Sequence, residues 1–151
     1  MADFTFITAR LATGGAITSQ ADVDALAAAG ISSIIDCRDD FDDAALLSSR
    51  PSMAYLWNGA ADDGKQKPAT WFQKSIEFAL PALAQPHKKV YCHCQAGINR
   101  GPSTAYAILR ALGFGRDEML TLIRLKRPQT IVGIRYSADA DAAIQSLGYG
   151  P

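Results

Sequence analysis

At 151 residues, with 48% hydrophobic and 20% charged content, the chain has the size and composition of one folded domain, which excludes disordered and fibrous classes. Fifteen basic and fifteen acidic residues cancel, so no overall field recommends nucleic acid or an anionic membrane, and any recognition of anions must be local. The stretch from Ala79 to Ala84 is short and holds Pro81, and the first fifteen residues lack an extended apolar core, so neither a membrane span nor a leader is expected.

Phe4 to Ala9 and Leu11 to Thr13 read as short strands that end at Gly14-Gly15. Thr18 or Ser19 can cap a helix from Gln20 to Ala29 that Gly30 stops. Ile31 to Asp36 has the β-branched pattern of a buried strand. Asp39 to Pro51 is expected to be a loop with at most one helical turn, and Tyr55 to Trp57 a short strand. A polar excursion from Asn58 to Ala69 leads into a helix from about Thr70 to Ala84, which Pro81 should kink or shorten. Val90 to His93 is a strand, and Cys94 to Arg100 a turn-forming segment. Three further helices follow: Pro102 at a first helical position to Leu112, Asp117 to Leu125, and Ala138 to Leu147. Strands alternating with helices imply one α/β domain over residues 1–151, with a mostly parallel sheet of four to five strands covered on both faces.

The informative stretch is His93-Cys94-Gln95-Ala96-Gly97-Ile98-Asn99-Arg100. A loop that feeds a helix N-terminus points successive backbone N–H groups inward, and the helix dipole adds partial positive charge. Gly97 permits the backbone such a loop requires, and Arg100 offers a planar fork that can grip two phosphate oxygens. An unperturbed thiol is only ~3% ionised at neutral pH, whereas cysteines at helix N-termini ionise more readily, so the same loop is expected to activate Cys94. One arrangement would hold a tetrahedral dianion and supply the nucleophile that attacks it.

His-Cys-x-x-Gly-x-x-Arg resembles the signature of the protein tyrosine phosphatase superfamily, and the short chain is similar to its dual-specificity branch. Leu11 to Gly15, Gly30-Ile31 with the strand after it, Ala105 to Gly113 and Arg127-Pro128 extend the likeness over most of the sequence. The resemblance implies a phosphatase without cofactor or metal, acting on a phosphorylated protein or small phosphorylated substrate. Cys94 would be the nucleophile, Arg100 the phosphate clamp, and the amides of Gln95, Ala96, Gly97, Ile98, Asn99 and Arg100 the substrate cradle. His93 would orient the loop and help keep the thiolate. The general acid would come from about thirty residues upstream, where Asp62 and Asp63 stand side by side in the polar excursion. Asp62 with its spacing to Phe72 fits one version of the branch, and Asp63-Gly64 followed by Pro68 fits another. Both stay open.

Gly101 departs from the family pattern, which usually has Ser or Thr after the arginine. That hydroxyl helps the thiolate leave, so Ser103 or Thr104 would have to replace it. Gln95, Ala96, Ile98 and Asn99 bring no positive charge, which argues against highly phosphorylated substrates. Cys37 stands where some relatives hold a cysteine that forms a protective disulfide with the nucleophile, and Cys92 reads as core. Three cysteines fit a reducing, cytoplasmic setting. Arg38 is expected to pair with Asp39 or Asp40 at the surface, and Arg124, Lys126, Arg127 and Arg135 to form a solvated basic face. A rhodanese-like sulfurtransferase and a weakly active phosphate-binding module are the alternative readings.

Overall fold

The computed structural model describes residues 2–149. Two short strands, β1 (Phe4–Thr8) and β2 (Leu11–Gly14), form an antiparallel hairpin that opens the chain. Helix α1 (Gln20–Ala28) follows, capped by the Ser19 hydroxyl, which accepts from the Asp22 N–H, and stopped by Gly30 at φ +90°. Then come β3 (Ser33–Asp36), the single turn α2 (Ala44–Leu47) and β4 (Ala54–Trp57). Helix α3 (Ala69–Leu83) precedes β5 (Val90–His93), and α4 (Arg100–Ala111), α5 (Arg116–Lys126) and α6 (Ser137–Leu147) complete the order.

The sheet runs β1-β2-β5-β3-β4, with every pair after the hairpin parallel. Alternation along the strands sorts the side chains. Ala12, Ile34 and Tyr91 face α1 and α2, packing with Val23, Leu26 and Leu47. Leu11, Ile35, Val90 and Cys92 face the opposite way, into a larger core with Phe72, Ile76, Tyr106, Ile108 and Ile144. Each buried Val, Leu, Ile or Phe among these contributes roughly 1.5–3 kcal/mol by leaving water. The expected α/β sheet with helices on both faces is found.

Three local expectations are corrected. Helix α4 opens at Arg100 rather than Pro102, which sits in the first turn, where backbone N–H groups have no intrahelical partner and a proline costs little. Pro81 does not shorten α3, which runs through it to Leu83; the forgone hydrogen bond falls in the final turn. A 3-10 turn over Pro128–Val132 occupies a stretch that carried no helical expectation.

Candidate active site

The loop from Cys94 to Asn99 joins β5 to α4 at the carboxyl end of the parallel strands, where ligands of open α/β sheets bind. Gly97 has φ +68°, and a Cβ there would overlap the Gly14 backbone and the Arg127 guanidinium. Only glycine fits. The loop carbonyls are all engaged from outside. Gln95 O accepts from Ala16 N at 3.1 Å, Ala96 O and Gly97 O accept from Arg127 at 3.3 and 2.7 Å, and Ile98 O accepts from Ile134 N at 3.2 Å. By contrast, the backbone N–H groups of Gln95 to Asn99 donate to no group among the described residues. Carbonyls turned out and amides left free make an anion cradle.

Arg100 is buried, its Nη1 donating to Ala60 O at 3.0 Å and lying 3.5 Å from Asp39, while its Nε has no partner among the described residues. Cys94 is 3% exposed at the base of the cradle. Two buried hydroxyls nearby, Ser103 Oγ and Thr13 Oγ1, are also unpartnered, whereas Thr104 Oγ1 accepts from the Cys37 thiol at 3.4 Å. A Cβ at Gly101 would lie 3.1 Å from Cys92 O, His93 Cα and Thr13 Oγ1, so even a small side chain there would be tight. Burial pushes the Cys37 and Cys92 thiols up, which keeps both protonated.

Under the loop lies a buried ion cluster. Strand alternation places His93 on the α1/α2 side, stacked on Tyr91, and opposite Asp36 in register. Its Nε2 is 2.5 Å from Asp43 Oδ2 and its Nδ1 is 3.2 Å from Cys94 O. A carbonyl only accepts, so Nδ1 carries the hydrogen of that bond. Arg38 donates to both Asp36 oxygens at 3.1 Å and to Asp43 at 2.8 Å. It is 4% exposed and makes its ion pairs with Asp36 and Asp43 rather than Asp39 or Asp40, which corrects the surface pairing expected of it. The reason is geometric: at a strand end the side chain turns inward to carboxylates that would otherwise be buried without a cation. Burial still holds the Asp36 carboxyl above the usual range, against the opposing pull of Arg38 and His93. Asp36, Asp43 and His93 present ligand atoms within 4.8 Å of one another, but the Arg38 guanidinium already neutralises both carboxylates.

The two acid candidates separate. Asp62 Oδ1 accepts from Asn99 Nδ2 at 2.7 Å and from Tyr136 Oη at 3.2 Å, which draws it onto the cradle. Asp63 points to solvent, and hydrogen bonds from Lys67 Nζ (2.8 Å) and Lys65 N hold its carboxyl below the usual range. Arg127 corrects another expectation. At 1% exposed it is no part of a solvated basic face; it grips the loop carbonyls while its Nη atoms pair with both oxygens of Asp3. Ile134 adopts φ +60°, costly for a β-branched residue by about 1–3 kcal/mol, at the point where its N–H meets Ile98 O. Trp71 is core, and Trp57 is 45% exposed with its indole donating to Arg38 O. Sequence reasoning missed Asp43 and Tyr136, which no local pattern marks.

A cleft of about 300 Å³ opens beside the loop between Asp62, Ala96, Ile98, Val132 and Arg135. A larger hollow of about 650 Å³ lies along α5, lined by Phe114, Met119, Leu122 and Leu125, and touches none of the groups above.

A cysteine at the base of an amide-lined loop, with an arginine at the start of the next helix, is the arrangement a cysteine-dependent phosphatase requires. The family described as dual specificity phosphatase, catalytic domain, matches residues 15–138, and the chain belongs to it. Solved structures of similar fold include the human tyrosine phosphatase-like serine/threonine/tyrosine-interacting protein, at 18% identity and TM-score 0.78 over 97% of this chain and 99% of that one. A mouse protein complexed with zinc tungstate is 17% identical, TM-score 0.78, over 100% and 94%. PTPMT1 in complex with PI(5)P is 15% identical, TM-score 0.76, over 95% and 98%. No curated protein matches the sequence. The chain is a phosphatase of phosphate monoesters, which leaves the sulfurtransferase reading without support. No helix among the described residues is long and apolar enough to cross a membrane.

Proposed function

We propose that this single catalytic domain hydrolyses phosphotyrosine, and phosphoserine or phosphothreonine where they fit, through a phosphocysteine at Cys94. The observation that carries the reading is the cradle itself: outward carbonyls tied down, inward amides free, and a buried guanidinium nitrogen of Arg100 without a partner. The Cys94 thiolate attacks phosphorus while the bond to the ester oxygen breaks. Arg100 and the amides of Gln95 to Arg100 hold the equatorial oxygens as charge moves onto them. Asp62 gives its proton to the leaving oxygen, then takes one from the water that attacks phosphocysteine. That second attack breaks the P–S bond, releases inorganic phosphate and restores the thiolate. Gly101 lacks a hydroxyl, and Ser103, whose buried Oγ has no partner among the described residues, is the hydroxyl assigned to ease sulfur's departure.

Gln95, Ala96, Ile98 and Asn99 bring no cation to the cradle, which favours a singly phosphorylated substrate over a headgroup such as the one PTPMT1 holds. Balanced charge supports neither nucleic acid nor a membrane as partner, and three free cysteines suit a reducing cytoplasm. Hydrolysis of an aryl phosphate by wild type and three variants tests the scheme. Cys94→Ser should abolish turnover, Asp62→Ala should lower it about 10²-fold, and Asp63→Ala should change it less than about twofold. Turnover surviving Cys94→Ser would end the proposal.

Cys37 is proposed as the thiol that rescues oxidised Cys94. Peroxide converts the Cys94 thiolate to a sulfenic acid with release of hydroxide, and the Cys37 thiol then displaces water to form the disulfide. Both residues share the same core, although burial of the Cys37 thiol slows its attack. Peptide mass mapping after mild peroxide should find the Cys37–Cys94 bridge; sulfinic acid at Cys94 without any bridge would refute it.

A further inference from the structure

The stretch Gly133 to Tyr136 is wired to both halves of the site. Toward the cradle, Ile134 N donates to Ile98 O at 3.2 Å and Arg135 N donates to Asn99 Oδ1 at 2.5 Å. Gly133 lies so close to Ile98 that a Cβ would overlap its carbonyl. Toward the acid loop, the Tyr136 phenol accepts from Gly64 N at 3.0 Å and donates to Asp62 Oδ1 at 3.2 Å. Lys67 Nζ sits 4.9 Å from the centre of the same ring, and Lys67 N donates to Asp139 Oδ2 at the start of α6. The ring is 1% exposed and packs edge-on to Trp71, so the phenol has little freedom.

These contacts converge on one oxygen. Asp62 Oδ1 takes both donors, Asn99 Nδ2 and Tyr136 Oη, while Oδ2 takes none among the described residues. In a protonated carboxyl the carbonyl-type oxygen accepts two hydrogen bonds and the other oxygen carries the hydrogen. An Oδ1 saturated by donors therefore leaves Oδ2 as the seat of the proton.

We propose that Tyr136 is a positioning residue for Asp62: with Asn99 it ties the acid loop to the phosphate cradle before substrate arrives, and it fixes Oδ2 as the oxygen that delivers the proton. The inference rests on Asp62 being the general acid. It predicts an acid loop already seated on the cradle rather than one that must close over each substrate.

The test compares two aryl phosphates through kcat/KM, which reports steps up to phosphocysteine formation. Phosphotyrosine has a poor leaving group that needs the proton, and 2,4-dinitrophenyl phosphate has a good one that does not. Tyr136→Phe removes only the hydroxyl. It should lower kcat/KM for phosphotyrosine about tenfold, the size of one lost hydrogen bond in the transition state, and leave dinitrophenyl phosphate within about twofold. Asp62→Asn should show the same selectivity with a larger loss, and Tyr136→Phe added to it should cost nothing more. Equal losses with both substrates, or no loss with either, would overturn the positioning role. If Asp62→Asn itself proves unselective, the assignment of Asp62 as the acid fails first and takes this inference with it.

Discussion

The phosphate cradle and the acid loop face each other across one cleft, but they are held in opposite ways. The cradle is anchored from beneath by buried charge, with His93, Asp43, Arg38 and Asp36 on one side of the sheet and Arg127 across its outer carbonyls. The acid loop is largely exposed and is held at its edge by a phenol, an amide and a lysine. The contrast follows from what each part must do. An amide-lined loop works only if every carbonyl is kept turned away, so its shape needs partners that cannot be exchanged for water. An acid must release and regain a proton, which suits a group left half in solvent with a few orienting contacts.

That comparison breaks most visibly at Arg127. Arg127→Met keeps the bulk but frees the Ala96 and Gly97 carbonyls, and it leaves Asp3, half exposed, without its cation. The protein should lose about 3 kcal/mol of stability, at the lower end for a broken buried pair because Asp3 can be rehydrated, and kcat/KM should fall about 10²-fold. A thermal melt and an aryl phosphate assay read both. A variant that kept full activity would show that the cradle holds its shape without this anchor.

Asp43→Asn sharpens the comparison from below. The substitution keeps the shape but removes the carboxylate that holds His93 Nε2, and with it the grip on the imidazole whose Nδ1 meets the Cys94 carbonyl. Capture of Cys94 by iodoacetamide at pH 6 should slow by up to about fivefold, the factor by which about 1 kcal/mol scales the ratio of thiolate to thiol. Alkylation unchanged from wild type would confine Asp43 to a packing role.

The smallest effect should appear in acid. The hydrogen bond from Arg127 holds the Asp3 carboxyl below its usual range, so this contribution to stability is complete above the unfolded value of about 4 and fades as pH falls through the lower folded value. Asp3→Asn should therefore flatten the melting temperature against pH between about pH 4 and 2. Parallel curves for wild type and variant across that window would show that Asp3 does not feel Arg127.

The cradle was legible because its chemistry is written in consecutive residues: His93, Cys94, Gly97 and Arg100 fall within one strand-loop-helix passage. The sheet was legible for a similar reason, since alternation and glycine stops are local signals. What escaped reading depends on contacts distant in sequence. Asp39 and Asp40 adjoin Arg38 in the chain, but the turn after β3 sends the guanidinium back to Asp36 and on to Asp43. Arg127 sits among Arg124, Lys126 and Arg135 and shares their composition; only the fold shows that its guanidinium is buried and grips the loop carbonyls. Asp62 and Asp63 are neighbours of identical type in a loop, and a single-residue choice between them needs the positions of Asn99 and Tyr136.

Arg127 also gives the molecule a temporal order. Its bond to Asp3 spans 124 positions, joining the residue before the first strand to one beyond α5, whereas its bond to the Gly97 carbonyl spans 30. Closing so long a span is among the later and entropically dearer events available to a chain of this length. Helices and strands can form without that contact, and the outer anchor of the cradle is complete only once Asp3 and Arg127 have met.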